Sequence, residues 1–294
     1  MKKKIAILGS TGSIGKSTLS IIKNDKKNFN IILLSANSNY KKLLYLAKKY
    51  NVNNLLVHNK ISYLKFCKVN KSKKIKIFNT LDDFHRSSRI KFDYTMSALT
   101  GLGGLKPTLQ AIKISKKIAI ANKESIICGW NLINKELLKY KTEFVPVDSE
   151  HFSIWSLIQN INKNKIEKIY ITASGGPFLR LPLSKFKKIK SKNAIKHPNW
   201  SMGKKISIDS ATLMNKVFEI IEAKKIFDIN INKFKILIHP DSYVHAIVKF
   251  SNGITKILSH DTNMKIPIFN TLYNEMYKKI KTKKLDIDKI NSLN

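Results

Sequence analysis

The sequence predicts an α/β protein: a Rossmann-like domain built on a parallel sheet, followed by a second domain of α/β (α+β) type. Three observations carry this expectation. Apolar strand-like runs alternate with helical stretches through the first half of the chain. A glycine loop joins the first strand to the first helix. From about Val145 the texture changes to sparse strands separated by long loops rich in Gly, Pro, Ser and Asn.

Residues 4–8 read as a buried strand, and residues 17–22 carry helical apolar spacing after the loop. Residues 31–36 form a second strand-like run, residues 40–50 a helical stretch and residues 54–57 a short strand. The alternation continues with strand-like 94–98, helical 107–113 and strand-like 117–121, which implies a parallel sheet covered on both faces. Beyond Val145, residues 168–173 and 236–239 read as strands and 211–224 as helical. Residues 174–178 and 197–209 are expected to be irregular, and loops of that length often bind or cover ligands. The expected organisation is a first domain over residues 1–145, a second over 146–275 and a Lys-rich tail over 276–294.

Composition narrows the function classes. With 43% hydrophobic and 25% charged residues the chain can bury a core, so disorder is not expected. The net charge of +36 would suit nucleic acid, but it is almost all lysine and is spread along the chain, with arginine only at Arg86, Arg89 and Arg180. Base-reading surfaces use clustered Arg forks and stacked aromatics, and none is found, so no nucleic-acid partner is expected. No apolar run approaches the roughly 20 residues needed to cross a bilayer, so no membrane span is expected. Lysines at 2–4 before an apolar run imitate a secretion signal, but the run ends at the glycine loop. Cys67 and Cys128 lie far apart in no metal-binding spacing, which makes the cytoplasm the default compartment.

The loop Gly9-Ser10-Thr11-Gly12-Ser13-Ile14-Gly15 has the spacing G-x-x-G-x-x-G. Glycines placed between a first strand and a first helix let backbone N–H groups approach a pyrophosphate at the helix amino end. A site that prefers NAD places an acid about 20 residues further on to hold the ribose 2′-hydroxyl. Here no Asp or Glu occurs between Asp25 and Asp82, and the second strand ends in Ala36-Asn37-Ser38-Asn39, followed by Lys41 and Lys42. A 2′-phosphate would meet amides, hydroxyls and positive charge, so NADPH is the expected cofactor.

Asp148 and Glu150 stand two apart. If residues 145–150 are extended, both carboxylates face one side. Glu219 lies four residues after Asn215 in a helical stretch, so those two share a face. Oxygen ligands of this kind suit Mg²⁺ or Mn²⁺. His151 could be a ligand, a base or a hydrogen-bonding partner of the acids. The segment HPNWSMGKKISIDSATLMNK, residues 197–216, is dense in special residues. Its Trp200 and Met202 would be costly to expose unless they close over something, and His197, Ser210, Asn215 and Lys216 could hold a phosphate. Ser174-Gly175-Gly176 offers a second turn suited to an anion.

These residues, in this order, resemble the 1-deoxy-D-xylulose 5-phosphate reductoisomerase family. The resemblance runs through GSTGSIG at 9–15, ANKES at 121–125, PVDSEH at 146–151, SGGPF at 174–178, the 197–216 segment and His239-Pro240. It implies a metal-assisted rearrangement of the ketose phosphate, then reduction by NADPH to 2-C-methyl-D-erythritol 4-phosphate in isoprenoid precursor biosynthesis. By the same resemblance Asp148, Glu150 and Glu219 hold the metal. Lys123 and Ser149 touch the sugar, with Ser174, His197, Ser210, Asn215 and Lys216 around it and its phosphate. Thr11, Gly12, Ser13, Ile14, Asn39, Asn122, Glu124 and Gly203 match cofactor positions, alongside Asn37 and Ser38 from the end of the second strand. Trp200 and Met202 belong to a lid, and a homodimer is implied. The sequence departs from the family at Ser38, where a basic side chain is common, and over residues 259–264. The family's further carboxy-terminal helical domain is expected to be lacking. An alternative reading within the family is a remnant that binds nucleotide with little or no turnover.

Overall fold

The computed structural model describes residues 1–195, 203–273, 276, 278–283 and 288–291. Two compact units emerge. The first comprises Met1–Val147 with Ile268–Tyr277, the second Asp148–Pro267 with Lys278–Asn294. The sequence reading drew its first boundary after residue 145 and carried its second domain to 275, whereas residues 268–277 group with the first unit. Tertiary contacts explain this grouping: Tyr273 packs edge-on against Phe29, and the Tyr94 and Thr271 hydroxyls share a buried 2.9 Å hydrogen bond.

The first unit begins with β1 (Lys3–Leu8), α1 (Ser13–Lys23), β2 (Phe29–Ala36), α2 (Tyr40–Tyr50), β3 (Asn54–Val57), α3 (Lys60–Val69) and β4 (Lys76–Phe78). It continues with α4 (Leu81–Ser88), β5 (Phe92–Ser97), α5 (Leu105–Ile112), β6 (Ser115–Ile120), α6 (Lys123–Tyr140) and β7 (Glu143–Pro146). The seven strands are all parallel, in the order β4-β3-β2-β1-β5-β6-β7. A parallel sheet covered on both faces needs strands that are apolar throughout, and Ile5, Ala6, Ile7 and Leu8 of β1 are all fully buried. The order reverses between β1 and β5, which opens a crevice beyond the carboxyl ends of the strands. The helices bury single stripes, such as Leu43, Leu46 and Ala47 of α2 at helical spacing.

The second unit carries α7 (Ser149–Ile158), β8 (Ile166–Ala173), α8 (Ser191–Ala194), α9 (Lys204–Ala211), α10 (Met214–Phe227), β9 (Phe234–Ile238), β10 (Val244–Phe250) and β11 (Thr255–Ser259). Its four-stranded sheet runs β11-β10-β8-β9 and is mixed, with β8 parallel to β9 and antiparallel to β10. Ile154 of α7 and Ala223 and Phe227 of α10 pack with Ile169 and Ile171 of β8 and Val248 of β10 in one buried cluster. This packing fixes α7 and α10 over the sheet, and both helices carry candidate site residues. α11 (Lys265–Tyr273) follows β11 in the chain. No described helix is long and apolar enough to cross a membrane.

Three expectations are corrected. Residues 145–150 are not one extended run: β7 ends at Pro146, Asp148 caps α7 and Glu150 lies in its first turn. An Asp directly before a Ser-Glu pair satisfies free N–H groups at a helix start better than it continues a strand. Residues 204–209 of the expected irregular stretch belong to α9. The helix expected over 211–224 is divided, because Leu213 adopts a left-handed backbone with φ 58° between α9 and α10.

Candidate active site

In the first unit the glycine loop follows β1 and leads directly into α1. Gly9 has φ +79°, and a Cβ there would stand 2.4 Å from the Ala98 carbonyl oxygen. A Cβ on Gly15 would stand 2.5 Å from both the Gly9 oxygen and the Ser10 Cα. These two glycines let the loop fold tightly against the end of β5 and against itself. Gly12, the N-cap of α1, has no side chain with which to cap the helix and is exposed. The first N–H groups of α1 therefore point outward, the arrangement that receives a pyrophosphate.

A cleft of about 190 Å³ lies at this point, lined by Gly9, Thr11, Gly12, Asn37, His58 and Gly104 among others. Of the expected cofactor residues, Thr11, Gly12 and Asn37 line it directly. Ser13 and Ile14 open α1, and Asn39 caps α2 by accepting from the Lys42 amide at 3.0 Å. Ser38 lies between Asn37 and Asn39 and is exposed. Asn122 caps α6 and also donates to the Gly101 carbonyl at 2.9 Å. Lys123 and Glu124 follow it in the first turn of α6. Gly203 belongs to the second unit, where it precedes α9.

Sequence reasoning missed His58 and the Leu99, Thr100, Gly103 and Gly104 wall of the cleft. The glycine run at 101–104 after a strand was a usable signal, since it mirrors the first loop. His58 gave none, because its place depends on the parallel pairing of β2 with β3. Its Nε2 lies 3.1 Å from the Ser35 hydroxyl, and burial lowers its pKa to about 4, so the ring is neutral at the cleft. Lys16 and Lys42, in the first turns of α1 and α2, stand side by side. Hydrogen bonding and repulsion from Lys16 lower the pKa of Lys42.

In the second unit Asp148, Glu150 and Glu219 bring their carboxylate oxygens within 4.8 Å of one another. Asp148 caps α7, Glu150 follows two residues later, and Glu219 projects from α10, buried to 1% exposure. The expected pairing on α10 is present: Asn215 Nδ2 donates to Glu219 Oε1. Ser149 donates to Glu150 Oε2. The Lys216 ammonium sits among the acids, 3.1 Å from Glu150 Oε1 and paired with Glu219 Oε2.

His151 is the hydrogen-bonding partner of the group. Its Nε2 donates to the Glu219 backbone carbonyl at 2.8 Å, and its Nδ1 faces Asp148 Oδ1 at 3.2 Å and Glu222 Oε2 at 3.6 Å. Glu222 went unnoticed in the sequence, although its position three residues after Glu219 on a helix was a signal.

The electrostatics show what such a site accepts. Burial, then repulsion from Glu219, pushes the Glu150 pKa up to about 7 despite the nearby Lys216 charge. Burial works against the Lys216 ammonium, but Glu150 and Glu219 outweigh it and hold its pKa above the ordinary lysine value. Negative charge is thus in surplus around a buried cation. The donor set is all carboxylate oxygen, and the existing ammonium marks where positive charge is favoured. These residues fit a hard divalent cation.

Ser174 follows β8, and its hydroxyl accepts from the Gly176 amide at 3.1 Å. Gly175 and Gly176 have φ +80° and +71°, and a Cβ on Gly176 would lie 3.0 Å from the Ser210 carbonyl oxygen. Close backbone approach therefore brings the Ser174-Gly175-Gly176 turn against the end of α9 at Ser210. Lys216 was expected at a phosphate, and here it is turned to the carboxylates. His197, Trp200 and Met202 lie outside the described residues.

Comparison with known proteins agrees with this geometry. The model of the 1-deoxy-D-xylulose 5-phosphate reductoisomerase family matches residues 5–129, and that of the same enzyme's C-terminal domain matches residues 144–227. A 1-deoxy-D-xylulose 5-phosphate reductoisomerase of Pelagibacter ubique is 63% identical over 294 residues, covering 99% of this chain and 76% of the relative. The enzyme of that name from Zymomonas mobilis, solved in complex with NADPH, superposes with a TM-score of 0.88 at 34% identity. That match covers 100% of this chain and 76% of the other. A DOX-P reductoisomerase solved with NADPH, fosmidomycin and magnesium also reaches 0.88, at 35% identity, covering 99% of this chain and 74% of the other.

Proposed function

This chain belongs to the 1-deoxy-D-xylulose 5-phosphate reductoisomerase family, and we propose from that membership that it converts 1-deoxy-D-xylulose 5-phosphate to 2-C-methyl-D-erythritol 4-phosphate. The reaction uses NADPH and a divalent metal ion. The observation that carries the reading is the convergence of Asp148, Glu150 and Glu219 around a buried ammonium. The ketose first rearranges to an aldehyde of the same composition. NADPH, when bound, would supply the hydride for reduction of that aldehyde to the alcohol, with the proton coming from the medium.

Asp148, Glu150 and Glu219 would hold Mg²⁺ or Mn²⁺, which when bound polarises substrate carbonyl and hydroxyl oxygens as a Lewis acid. Asn215 and Ser149 orient two of these carboxylates by donating to them. Lys123 and Ser149 are assigned to the sugar, and Ser174, Ser210, Asn215 and Lys216 to its surroundings and phosphate. His197 is assigned to the same group, with Trp200 and Met202 as a lid that excludes water. In the cofactor half, the amino end of α1 is assigned to the pyrophosphate, and Asn37, Ser38, Asn39, Asn122 and Glu124 to the dinucleotide; the family resemblance assigns Gly203 to the same cofactor. A cytoplasmic homodimer that takes a sugar phosphate rather than nucleic acid completes the reading. Sedimentation of the purified chain at twice the monomer mass checks the dimer.

The deciding experiment follows NADPH oxidation by the purified chain with Mg²⁺ or Mn²⁺ and 1-deoxy-D-xylulose 5-phosphate. Consumption that requires both metal and substrate is expected. NADPH binding without turnover would overturn the assignment.

Two further outcomes are expected. The adjacent Lys16 and Lys42 charges favour the 2′-phosphate where Ser38 offers no cation, so replacing both lysines with Ala should raise the NADPH KM about tenfold and leave the NADH KM unchanged. Equal effects on the two cofactors would contradict this. A cation must also displace the proton that Glu150 holds below pH about 7. Metal affinity should therefore rise with pH up to about 7, by about tenfold per unit, and level off above. Calorimetric titration with Mn²⁺ at pH 6 and pH 8 checks this, and equal affinities at the two would refute it.

A further inference from the structure

Glu222 is a buried carboxylate that the proposed chemistry leaves without a task. It lies one turn beyond Glu219 on α10 and is 2% exposed, and among the described residues it is not one of the three converging carboxylates. A charge withdrawn from water is retained at a cost unless it is paired. Its Oε2 lies 3.6 Å from Nδ1 of His151, a ring with no exposed surface.

His151 connects the two helices that carry the carboxylates. It lies on α7, three residues after Asp148, with Nδ1 3.2 Å from Asp148 Oδ1. Its Nε2 donates across to the Glu219 carbonyl on α10 at 2.8 Å. A carbonyl only accepts, so Nε2 carries a hydrogen, and Nδ1 is the ring atom that faces both carboxylates. Asp148 Oδ1 accepts from the Glu150 amide at 3.3 Å, and His151 Nδ1 lies against the same oxygen at 3.2 Å.

We propose that Glu222 is a positioning residue for the metal-binding carboxylates. It holds the His151 ring at the angle that fixes Asp148 on α7 relative to Glu219 on α10. Partners that orient a ligand in this way commonly change metal affinity by ten- to a hundredfold when removed, even though they never touch the metal. The proposal rests on the metal-dependent reading given above.

The test measures Mn²⁺ binding to the full chain by the resonance signal of the free ion, with NADPH affinity and metal-free melting temperature as controls. Glu222→Leu should weaken Mn²⁺ binding about tenfold or more while NADPH affinity stays at the parental value. Glu222→Gln should weaken it less, because the amide keeps the shape and a polar oxygen beside the ring. Removing one partner of a buried pair destabilises the fold whatever its role, so the readout that marks positioning is a loss of Mn²⁺ affinity at unchanged NADPH affinity. Parental Mn²⁺ affinity in both variants overturns the positioning role and leaves the metal site standing. A parent that binds no Mn²⁺ overturns the metal reading itself. Equal losses of Mn²⁺ and NADPH affinity would show general unfolding and also overturn the role. If Glu222→Leu does not fold, parental Mn²⁺ affinity in Glu222→Gln is decisive against it.

Discussion

Replacing Glu150 by Gln should lower kcat/KM by about a thousandfold at saturating Mg²⁺, equivalent to about 4 kcal/mol of lost transition-state stabilisation. Three carboxylates converge, and the substitution removes one of them together with its charge. The remaining acids would still face Lys216, which pairs with Glu219 as well as with Glu150. Balance between the ammonium and the acids would shift, and a divalent cation would compete less well for the site. Gln has nearly the same volume, so the core of the second unit should persist. NADPH binding reports on the other unit and should stay at the parental value. Activity retained in the variant, or lost together with NADPH binding, would contradict the assignment.

Gly9→Ala and Gly15→Ala should each cost about 2–4 kcal/mol of stability and abolish measurable NADPH binding. At Gly9 the new methyl would meet the Ala98 carbonyl at 2.4 Å in a backbone conformation that L residues rarely adopt. At Gly15 it would meet the Gly9 and Ser10 backbones at 2.5 Å. Neither contact can be relieved by rotating a side chain, so the loop must move away from β5 or α1 must shift. Gly12→Ala is the contrasting case, because its nearest new contact is an ordinary 3.4 Å. It should fold within about 1 kcal/mol of the parent yet bind NADPH more weakly, since the methyl occupies space that the pyrophosphate needs. Thermal melting and fluorescence titration with NADPH separate the two effects. A Gly9→Ala chain with parental melting and binding would contradict the account.

Much of the first unit was legible because its signals are local. A buried parallel strand is apolar at every position, so Ile5-Ala6-Ile7-Leu8 announced β1, and the glycines after it announced the turn into α1. Asn215 and Glu219 announced a shared face because four residues nearly complete a helical turn. Other elements were lost to weak patterns. β4 and β11 are short and hold no fully buried residue, so their apolar alternation is thin. α6 went unread although Asn122 caps it and Ile126, Ile133 and Leu137 recur at helical spacing, because Lys, Asn and Glu interrupt the stripe. Residues 145–150 left the local structure undecided, because an apolar run followed by two alternating acids fits a strand as well as a capped helix start.

The sequence by itself determined which chemistry the chain can offer. It holds hard oxygen ligands without zinc-type spacing, a glycine loop at a strand-to-helix junction, and no acid where a ribose 2′-phosphate would be repelled. Those are statements about residue types and short spacings, which survive without knowledge of the fold. Only the tertiary structure decided which groups meet. Asp148 and Glu219 lie far apart in the chain and converge because α7 and α10 pack with β8 and β10 in one apolar cluster around Ile154, Ile169, Ala223 and Val248. That burial has no direction along the chain, so no local pattern encodes it. The place of His58 at the cleft and the bridge from Glu222 through His151 to Asp148 arose in the same way, from long-range packing that brings polar groups together once the apolar surfaces are covered.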